Sequence, residues 1–497
     1  MERKLQLHNS LTRQKEVFTP IQEGFIGMYV CGPTVYSDVH LGNCRTFVSF
    51  DIIYRYLLAS GYKVRYVRNI TDVGHLLDDG EDRMSKGARL QNLEPMEVAQ
   101  KYSNGFHAMM DIFNTLKPSI EPRATGHIIE QIEMVQSIID NGYGYEKNGS
   151  VYFDTIKFSK ETGEYGKLSG RILEDLLTET RDNLKNQSEK RNPSDFAIWM
   201  KAADDHIMKW ESPWSVGFPG WHLECSAMST KYLGKQFDIH GGGNDLKFPH
   251  HENEVAQNIG SCNCQPANYW LHTNMLLMNG KKMSKSDGNT ISPEELFTGD
   301  SPHVTKGYSP MVVKFFMLQS HYRSTLDLTD DGLLAAEKGY KRLMEAYKHL
   351  KKLETKGLSD EPEINKSILD LINAAYADMD DDFNTPRALS QLFALVPMIN
   401  SFVDGKIEIN TVSKTTLLAM KEAFDDFLNN IFALKSDLES VAGATTTVDG
   451  LMDLIIEIRQ SARENKDWTT SDAIRDKMNE LNIVLKDGAE GTGWTLQ

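Results

Sequence analysis

Residues 25–34 of the chain read FIGMYVCGPT, an apolar run that stops at a glycine–proline turn. The run predicts a short buried strand followed by a turn. Apolar residues at helical spacing predict a helix from about 41 to 58, ended by Gly61, and alternating residues over 62–70 predict a second strand. Strand, helix and strand in succession form a βαβ unit. We therefore expect a parallel sheet that binds its ligand at the strand ends.

The sheet is expected to continue much further along the chain. Residues 237–240 (FDIH) predict another strand, which ends in three consecutive glycines. Residues 270–272 and 275–278 predict further strands of the same kind. The parallel sheet would thus be assembled from segments that lie far apart in the sequence.

A long polar segment separates the first βαβ unit from the later strands. Between about 79 and 190 the sequence is mixed in pattern, with several helical stretches. We therefore predict an α/β catalytic domain over 1–310, whose sheet is split by an insertion at roughly 120–215. After about Pro310 the pattern turns helical.

The remainder of the chain is predicted to form two smaller units. Apolar residues repeat with a four-three spacing over 336–350, which is typical of a packed amphipathic helix. Thr385 and Pro386 are the expected N-cap and first residue of another helix. We predict an α-helical bundle domain over 311–440 and a small C-terminal domain over 441–497, which begins with an uncharged linker, VAGATTT.

Composition limits the classes of protein that the chain can belong to. The chain has 497 residues, a formal net charge of −16 at pH 7 and 40% hydrophobic residues. An acidic chain repels RNA at long range, so any RNA-binding surface must be a local patch. No segment reaches the roughly 20 apolar residues of a membrane helix, and the polar N-terminus lacks a signal-peptide pattern. We expect a cytoplasmic protein that binds no membrane.

The cysteines and their neighbours suggest a metal site. Five cysteines are too few and too scattered for a disulfide framework. His250 and Glu254 are four residues apart and share a face if Pro249 begins a helix. With Cys31 and Cys225 they make a donor set that suits zinc.

Spacing alone leaves other interpretations of these residues open. Nothing in the sequence brings the two cysteines to the helix. It is an equally good interpretation that both cysteines only pack in the apolar core and that the His/Glu pair lies at a solvated helix start. His251 and Glu252 are also possible ligands by spacing. The pair Cys262 and Cys264 has metal-like spacing, but we expect it to be exposed and without function.

Two further segments are suited to phosphate chemistry. His40-Leu41-Gly42-Asn43 lies where the predicted helix begins, and a helix N-terminus offers N–H groups and a positive dipole to an anion. The run KMSKS at 282–286 places two lysines in a loop, where they can neutralise a leaving pyrophosphate. The ordinary alternatives are a helix-capping histidine and a solvated surface loop.

These segments together resemble a known family. Seven motifs occur in the order seen in cysteinyl-tRNA synthetases, a class I family: CGPTVY (31–36), HLGN (40–43), NITD (69–72), GWHLEC (220–225), DIHGGG (238–243), FPHHENE (248–254) and KMSKS (282–286). Residues 380–389 resemble the start of the family's tRNA-binding helical domain, and 466–476 resemble its C-terminal segment. The resemblance covers nearly the whole chain and implies a Rossmann-like catalytic domain.

The resemblance also implies how the amino acid is bound. It implies one zinc ion per chain, held by Cys31, Cys225, His250 and Glu254, and it excludes His251. It implies that the cysteine pocket is formed by Cys31, Gly32, Thr71 and Trp221. The zinc would select L-cysteine through its thiolate.

The residues implied for ATP and catalysis form a second set. The resemblance implies ATP binding, with Mg²⁺, by His40, Gly42, Asn43, Gly241, Gly242, Gly243, Asp245 and Lys285. It implies catalysis by His40, Asn43, Lys282 and Lys285. The product would be cysteinyl-adenylate, and the cysteinyl group would pass to tRNA(Cys).

The chain departs from the family pattern in two places. Asn43 stands where many relatives carry His, and an amide donates hydrogen bonds but does not become a cation. Residues 73–79 also differ from the commoner lysine-bearing pattern, and we assign them no role.

Two other functions stay open at this point. One is an enzyme that passes activated cysteine to a small-molecule amine; the tail over 380–497 argues against it. The other is a non-catalytic zinc-containing RNA-binding protein; the presence of His40 and Lys285 argues against that. For oligomeric state we expect a monomer.

Overall fold

A computed structural model describes residues 4–73, 93–171, 189–204, 206–283, 288–357, 362–435 and most of 452–496. By its internal contacts the chain divides into two units, Met1–Leu434 and Lys435–Gln497. The predicted boundary at 310 between catalytic and helical domains lies inside the first unit and stays a prediction.

The helices and strands of the first unit follow the predicted change from mixed to helical structure. The helices are α1 (Leu41–Ala59), α2 (Pro95–Ile112), α3 (Ile128–Asp140), α4 (Thr155–Thr162), α5 (Trp221–Leu233), α6 (His250–Cys262), α7 (Pro293–Thr298), α8 (Pro310–Leu318), α9 (Asp330–Lys352), α10 (Pro362–Asp380), α11 (Thr385–Val403) and α12 (Lys414–Asp425). The strands are β1 (Gln6–Asn9), β2 (Gln14–Val17), β3 (Phe25–Val30), β4 (Lys63–Arg68), β5 (Gly144–Lys147), β6 (Ser150–Phe153), β7 (Phe196–Lys201), β8 (Gly217–Pro219), β9 (Phe237–Gly243), β10 (Ala267–Thr273), β11 (Leu276–Met278), β12 (Lys281–Lys282) and β13 (Leu326–Leu328).

A four-stranded parallel sheet lies at the centre of the first unit. Its strand order is β10-β9-β3-β4, and each neighbouring pair is parallel. The helix α1 connects β3 to β4, so the predicted βαβ unit is confirmed. The sheet and its helices bury the apolar residues of the predicted strands, including Ile26, Met28 and Ile239.

The strand predicted at 237–240 is longer than expected. The three glycines lie within β9 rather than after it. A Cβ atom on Gly241 would lie 2.2 Å from the ring of Phe50, so a side chain there would collide with α1. Glycine at this position therefore lets α1 pack closely against the sheet.

The segment predicted as an insertion, together with the residues up to Pro219, contains a sheet that the sequence pattern did not predict. Strands β5, β6, β7 and β8 form an antiparallel sheet in that order. Asn148 and Gly149, both with positive φ, form the turn between β5 and β6. Asn-Gly is a strong hairpin signal, so this turn could have been recognised. The strands themselves were missed because they are short, and β6 is buried along its whole length and does not alternate.

The strand predicted at 275–278 belongs to a different sheet from the one expected. It is β11, and it pairs with β12 and β13 in a separate three-stranded sheet. The sequence pattern gives the strand but not its partners, because β13 lies about 50 residues further along the chain.

The helical segment after 310 is confirmed, with one correction. The helix predicted at Thr385 exists, but its N-cap is Asn384, whose side chain accepts from the backbone N–H of Arg387. Asn is at least as good an N-cap as Thr. The N-cap lies one residue earlier than predicted, and the Thr385 hydroxyl donates to the carbonyl of Leu318 instead of capping the helix. The predicted linker at 441–447 lies outside the described residues.

The second unit contains a helix over Trp468–Glu480 and an antiparallel pair, β14 (Ile483–Gly488) and β15 (Gly491–Leu496). Over the described parts of both units, none of the helices combines the length and the apolarity needed to cross a membrane.

The cysteines correct one expectation. Cys262 and Cys264 were expected to be exposed, but they are half-buried and joined by a disulfide. They lie at the end of α6, where the chain turns through Asn263 with a positive φ. Cys31, Cys44 and Cys225 are free and buried.

Candidate active site

A cleft of about 250 Å³ opens at the carboxyl ends of the parallel strands. Cys31 follows β3, Asn69 and Thr71 follow β4, and Gly243 ends β9; all of them line the cleft. Residues near the starts of α1, α5 and α6 also line the cleft, with the segment 33–39, Tyr102 and Phe106 of α2, and Asp245 and Leu246 after β9. This is the place at which open α/β sheets bind ligands.

The floor of the cleft brings together the four predicted metal ligands. The ligand atoms of Cys31, Cys225, His250 and Glu254 all lie within 4.8 Å of one another, and all four residues are buried. The two sulfurs are 3.5 Å apart, and His250 Nε2 is 3.2 Å from Glu254 Oε1. The helix α5 supplies Cys225, and α6 supplies the histidine and the glutamate on one face.

A second donor group overlaps the first. Cys31, His240, His251 and Glu254 also lie within 4.8 Å of one another, with His251 Nε2 3.3 Å from Cys31 Sγ. His251, which sequence spacing alone left as a possible metal ligand, is therefore close to the first donor group. Glu252 is not part of either group, because its carboxylate accepts from the backbone N–H groups of Gly166 and Ser169.

Burial and mutual interactions set the protonation of the four predicted ligands. Burial alone would raise the pKa of Cys225, but a hydrogen bond from Cys31 and the proximity of His250 lower that pKa to about 6. Burial also opposes ionisation of Glu254, yet His240 and His250 lower its pKa to about 2. Cys225 and Glu254 thus favour the ionised forms that bind metals. Burial raises the pKa of Cys31, and Cys225 and Glu254 outweigh burial and raise the pKa of His250 to about 10, so both residues would release a proton when a metal binds.

Buried histidines surround the donor group. His240 Nε2 lies 2.8 Å from Glu254 Oε2, and His251 Nδ1 lies 2.9 Å from His272 Nε2. His272 in turn contacts Ser10 Oγ at 2.8 Å. Burial lowers the pKa of His272 to about 3, so its ring is neutral. Neither His240 nor His272 was predicted to be functional; both come from buried strands, where sequence pattern indicates only packing.

The helix N-terminus at the cleft is built by the residues predicted for ATP. His40 is the N-cap of α1: its Nδ1 accepts from the backbone N–H of Asn43 at 3.2 Å, and the Asn43 side chain accepts from the backbone N–H of His40. Both side chains line the cleft. The first turn of α1 carries no acidic residue that would offset the positive end of the helix dipole.

The residues predicted for cysteine lie together. Cys31, Gly32, Thr71 and Trp221 all line the cleft, and the Trp221 ring centroid is 4.5 Å from that of His250. Asn69, for which no role was predicted, lies among them.

The remaining predicted residues are divided between the cleft and other places. Gly243 and Asp245 line the cleft, whereas Gly42, Gly241 and Gly242 are outside the part of its lining that the structure describes. Lys282 is exposed at the end of β12. Lys285 lies outside the described residues.

Comparisons with known proteins cover the whole chain. Residues 17–338 match the family described as tRNA synthetases class I (C) catalytic domain, and residues 374–434 match the DALR domain. Among solved structures, methionyl-tRNA synthetase of Mycobacterium tuberculosis bound by methionyl-adenylate has a TM-score of 0.59 at 13% identity, covering 82% of this chain and 92% of that one. The LeuRS–tRNA–LeuAMS ternary complex of Agrobacterium radiobacter K84 has a TM-score of 0.57 at 11% identity, covering 84% and 85%. These two likenesses show the fold.

Relatives of much higher identity agree with one another. The cysteine–tRNA ligase of Bacteroides fragilis is 50% identical over 499 residues, which cover 100% of both chains. The cysteine–tRNA ligase of Parabacteroides distasonis is 51% identical over the same shares of both chains. That of Chlorobaculum tepidum is 45% identical and covers 99% of each. With the class I catalytic fold and the DALR domain, these relatives show that the chain belongs to the cysteine–tRNA ligase family.

Proposed function

We propose that the chain activates L-cysteine with ATP to cysteinyl-adenylate and transfers the cysteinyl group to the 3′ end of tRNA(Cys). The observation that carries this proposal is a group of four donors, Cys31, Cys225, His250 and Glu254, three of which line a cleft that also contains a helix N-terminus. The fourth, Glu254, is not among the lining residues. One end of the cleft suits a thiol and the other suits phosphates.

The donor set fits zinc. Two sulfurs bound to one zinc at about 2.3 Å lie roughly 3.8 Å apart in tetrahedral geometry, close to the separation of the two thiols. Cys31, Cys225 and His250 line the cleft, whereas His240 and His251 are not among its lining residues. This favours the first donor group as the one that a substrate can reach. When bound, zinc supplies a preference for a soft thiolate over a hydroxyl.

This preference answers the selectivity problem that cysteine poses. A pocket that discriminates by fit alone separates near-isosteres such as cysteine and serine by only ~1–3 kcal/mol. Thr71 and Trp221 would form the walls of the pocket around the amino acid. The metal held by the donor group would bind the thiolate of cysteine in preference to the hydroxyl of serine. The enzyme therefore needs no separate editing site.

The chain's own residues position the two reactants for adenylate formation. An oxygen of the cysteine carboxylate attacks the α-phosphorus of ATP, the bond to the β-phosphate breaks, and pyrophosphate leaves with its Mg²⁺. The N–H groups at the start of α1, with His40 and Asn43, bind the phosphates, while Asp245 and Gly243 contact the adenosine. Lys282 and Lys285 stabilise the charge on the leaving group.

The second step uses the parts of the chain outside the cleft. A terminal hydroxyl of tRNA attacks the carbonyl carbon of the adenylate, and AMP leaves. The helical domain over 311–440 and the small domain over 441–497 hold the tRNA, the latter near the anticodon. The DALR match at 374–434 supports this division. A monomer is sufficient, because one chain supplies every part.

Cysteine-dependent exchange of pyrophosphate into ATP tests the proposal. Activity with cysteine and much weaker activity with serine supports it, and the C225S variant is expected to lose that discrimination. Absence of exchange in zinc-loaded wild-type protein overturns it, as does undiminished selectivity in C225S. Charging of tRNA then separates a ligase from an enzyme that passes cysteine to a small amine.

A further inference from the structure

Asn69 connects the pieces of the proposed cysteine pocket. It follows β4, it is 1% exposed, and its side chain lies in the lining of the cleft. Asn69 Oδ1 accepts from the backbone N–H of Gly32 at 2.8 Å, and Asn69 Nδ2 donates to Thr71 Oγ1 at 3.0 Å. Cys225 Sγ lies 3.7 Å from the same Oδ1.

The hydrogen-bonding chemistry fixes which way this amide points. The backbone N–H of Gly32 is a donor only, so the carbonyl end of the Asn69 amide must face it. The amino end then faces Thr71, whose oxygen is occupied as an acceptor. The hydroxyl hydrogen of Thr71 must therefore point away from Asn69.

The surrounding backbone is held independently of this amide. Thr71 N–H donates to the carbonyl of Pro33, and Val35 N–H donates to the carbonyl of Thr71. A Cβ atom on Gly32 would lie 1.6 Å from the backbone oxygen of Asn69, so the turn after β3 is in direct contact with the end of β4. A change confined to the Asn69 amide is thus expected to alter the Thr71 hydroxyl without moving the Thr71 backbone.

We propose that Asn69 is a positioning residue for amino-acid selection: its amide fixes the Thr71 hydroxyl and the Gly32 backbone on the side of the cleft next to the metal-ligand cysteines. This inference rests on the proposed function, because it assumes that the cleft binds cysteine. Asn69 acts through Thr71 and Gly32, and so it affects the amino acid and not ATP.

The isosteric variant N69D tests this role, because it keeps the acceptor for Gly32 and replaces the donor to Thr71 by an acceptor. The hydroxyl hydrogen of Thr71 should then turn towards residue 69, and this reversal is expected to weaken cysteine binding about tenfold, or ~1.4 kcal/mol. Calorimetric titration of zinc-loaded protein gives the Kd for cysteine, and pyrophosphate exchange gives both KM values. We expect the KM for ATP to stay within about twofold and the zinc content to be unchanged.

A second variant and a matched control separate positioning from folding. T71V removes the other partner of the same hydrogen bond, so it should weaken cysteine binding similarly, and the double variant should be no worse than T71V. Asn9 is equally buried, and its amide donates to the carbonyl of Asn268 outside the cleft lining. N9D therefore reports the general cost of replacing a buried amide by a carboxylate.

The possible results separate the two proposals. Equal losses for cysteine and ATP, loss of zinc, unchanged cysteine binding, or additive effects with T71V would overturn the role of Asn69. If wild-type protein binds cysteine but shows no exchange, and N69D weakens that binding, Asn69 has the inferred role and the proposed function fails.

Discussion

Single residues at the floor of the cleft show what a sequence can and cannot reveal. The pairing of His250 with Glu254 follows from helical spacing, which places residues four apart on one face. The meeting of Cys31 with Cys225 depends on how β3 and α5 pack, and no local pattern encodes that. The second donor group was also hidden, because His240 lies in a strand whose sequence indicates only burial.

Replacing each histidine in turn distinguishes the two donor groups. We expect H250A to lose stoichiometric zinc, because a ligand that faces the cleft is removed. H251A should retain the metal with an affinity about 10–100-fold weaker, the usual effect of removing a residue that supports the ligands. Zinc content after dialysis against a competing chelator measures both. Loss of zinc from H251A but not from H250A would instead assign the metal to the donor group that contains His240 and His251.

At the scale of elements, α1 is the part on which the cleft is built, and a buried arginine anchors it. Arg45 is 1% exposed, and its guanidinium donates to the backbone carbonyls of Met275, His321 and Ser324. Met275 directly precedes β11, and Ser324 lies just before β13. Arg45 therefore fixes the N-terminal part of α1, which we propose binds phosphates, to the β12-β11-β13 sheet, whose edge strand β12 ends in Lys282.

Replacing Arg45 should lower the free energy of unfolding and loosen the structure mainly around β11 and β13. R45M leaves buried carbonyls without donors, so we expect a loss of roughly 3 kcal/mol in unfolding free energy, measured by urea denaturation. Amide hydrogen exchange should become faster in β11 and β13. The control is R55M on the same helix: Arg55 donates to the carbonyls of Asn114 and Asn430 instead. Faster exchange of β11 in R55M, but not in R45M, would contradict the assignment.

A buried arginine also connects β4 to the helices α1 and α2 beside the cleft. Arg68 pairs with Glu121 at 2.6 Å and lies over the rings of Phe47 and Phe106. Burial alone would raise the pKa of Glu121, but His107 and Arg68 outweigh it and lower that pKa below its ordinary value of 4.5. A carboxyl whose pKa is lowered by folding stabilises the protein above the pKa of the unfolded chain, and it loses that effect as the pH falls through the folded value.

The pH dependence of an E121Q variant checks this ion pair. At pH 7 we expect the variant to be about 2 kcal/mol less stable than wild type, since a charged hydrogen-bonded pair is lost. The difference should shrink as the pH falls below 4.5, because the unfolded chain then takes up a proton at Glu121, and it should vanish once the folded protein is also protonated there, at a still lower pH. Urea midpoints at several pH values give the comparison. A difference that is constant with pH would mean that the pair contributes nothing through its charge.

The fold could be predicted where its pattern is local. The βαβ unit and the helical segment after 310 follow from periodicity within single elements. The short strands β5–β8 were missed because they carry too few residues to show a period, and β6 does not alternate. The strand β11 was predicted, but its pairing with β13 joins distant segments, which periodicity does not specify.

At the scale of the whole molecule, an acidic chain must bind an RNA substrate that is also negatively charged. A net charge of −16 opposes long-range attraction of tRNA, so local contacts with phosphates must supply the affinity. We expect the KM for tRNA to rise steeply between about 50 and 200 mM salt, while the KM for cysteine in pyrophosphate exchange changes little. Steady-state charging and exchange across this range provide the test. Equal salt dependence of both would argue against a phosphate-dependent tRNA surface.

Zinc X-ray absorption of the purified protein, with and without L-cysteine, tests the donor group most directly. Cys31 and Cys225 should give two sulfur neighbours at about 2.3 Å in the free protein, and the substrate thiolate should raise the number to three. Protein that holds no stoichiometric zinc, or a sulfur count that cysteine leaves unchanged, would contradict the assignment.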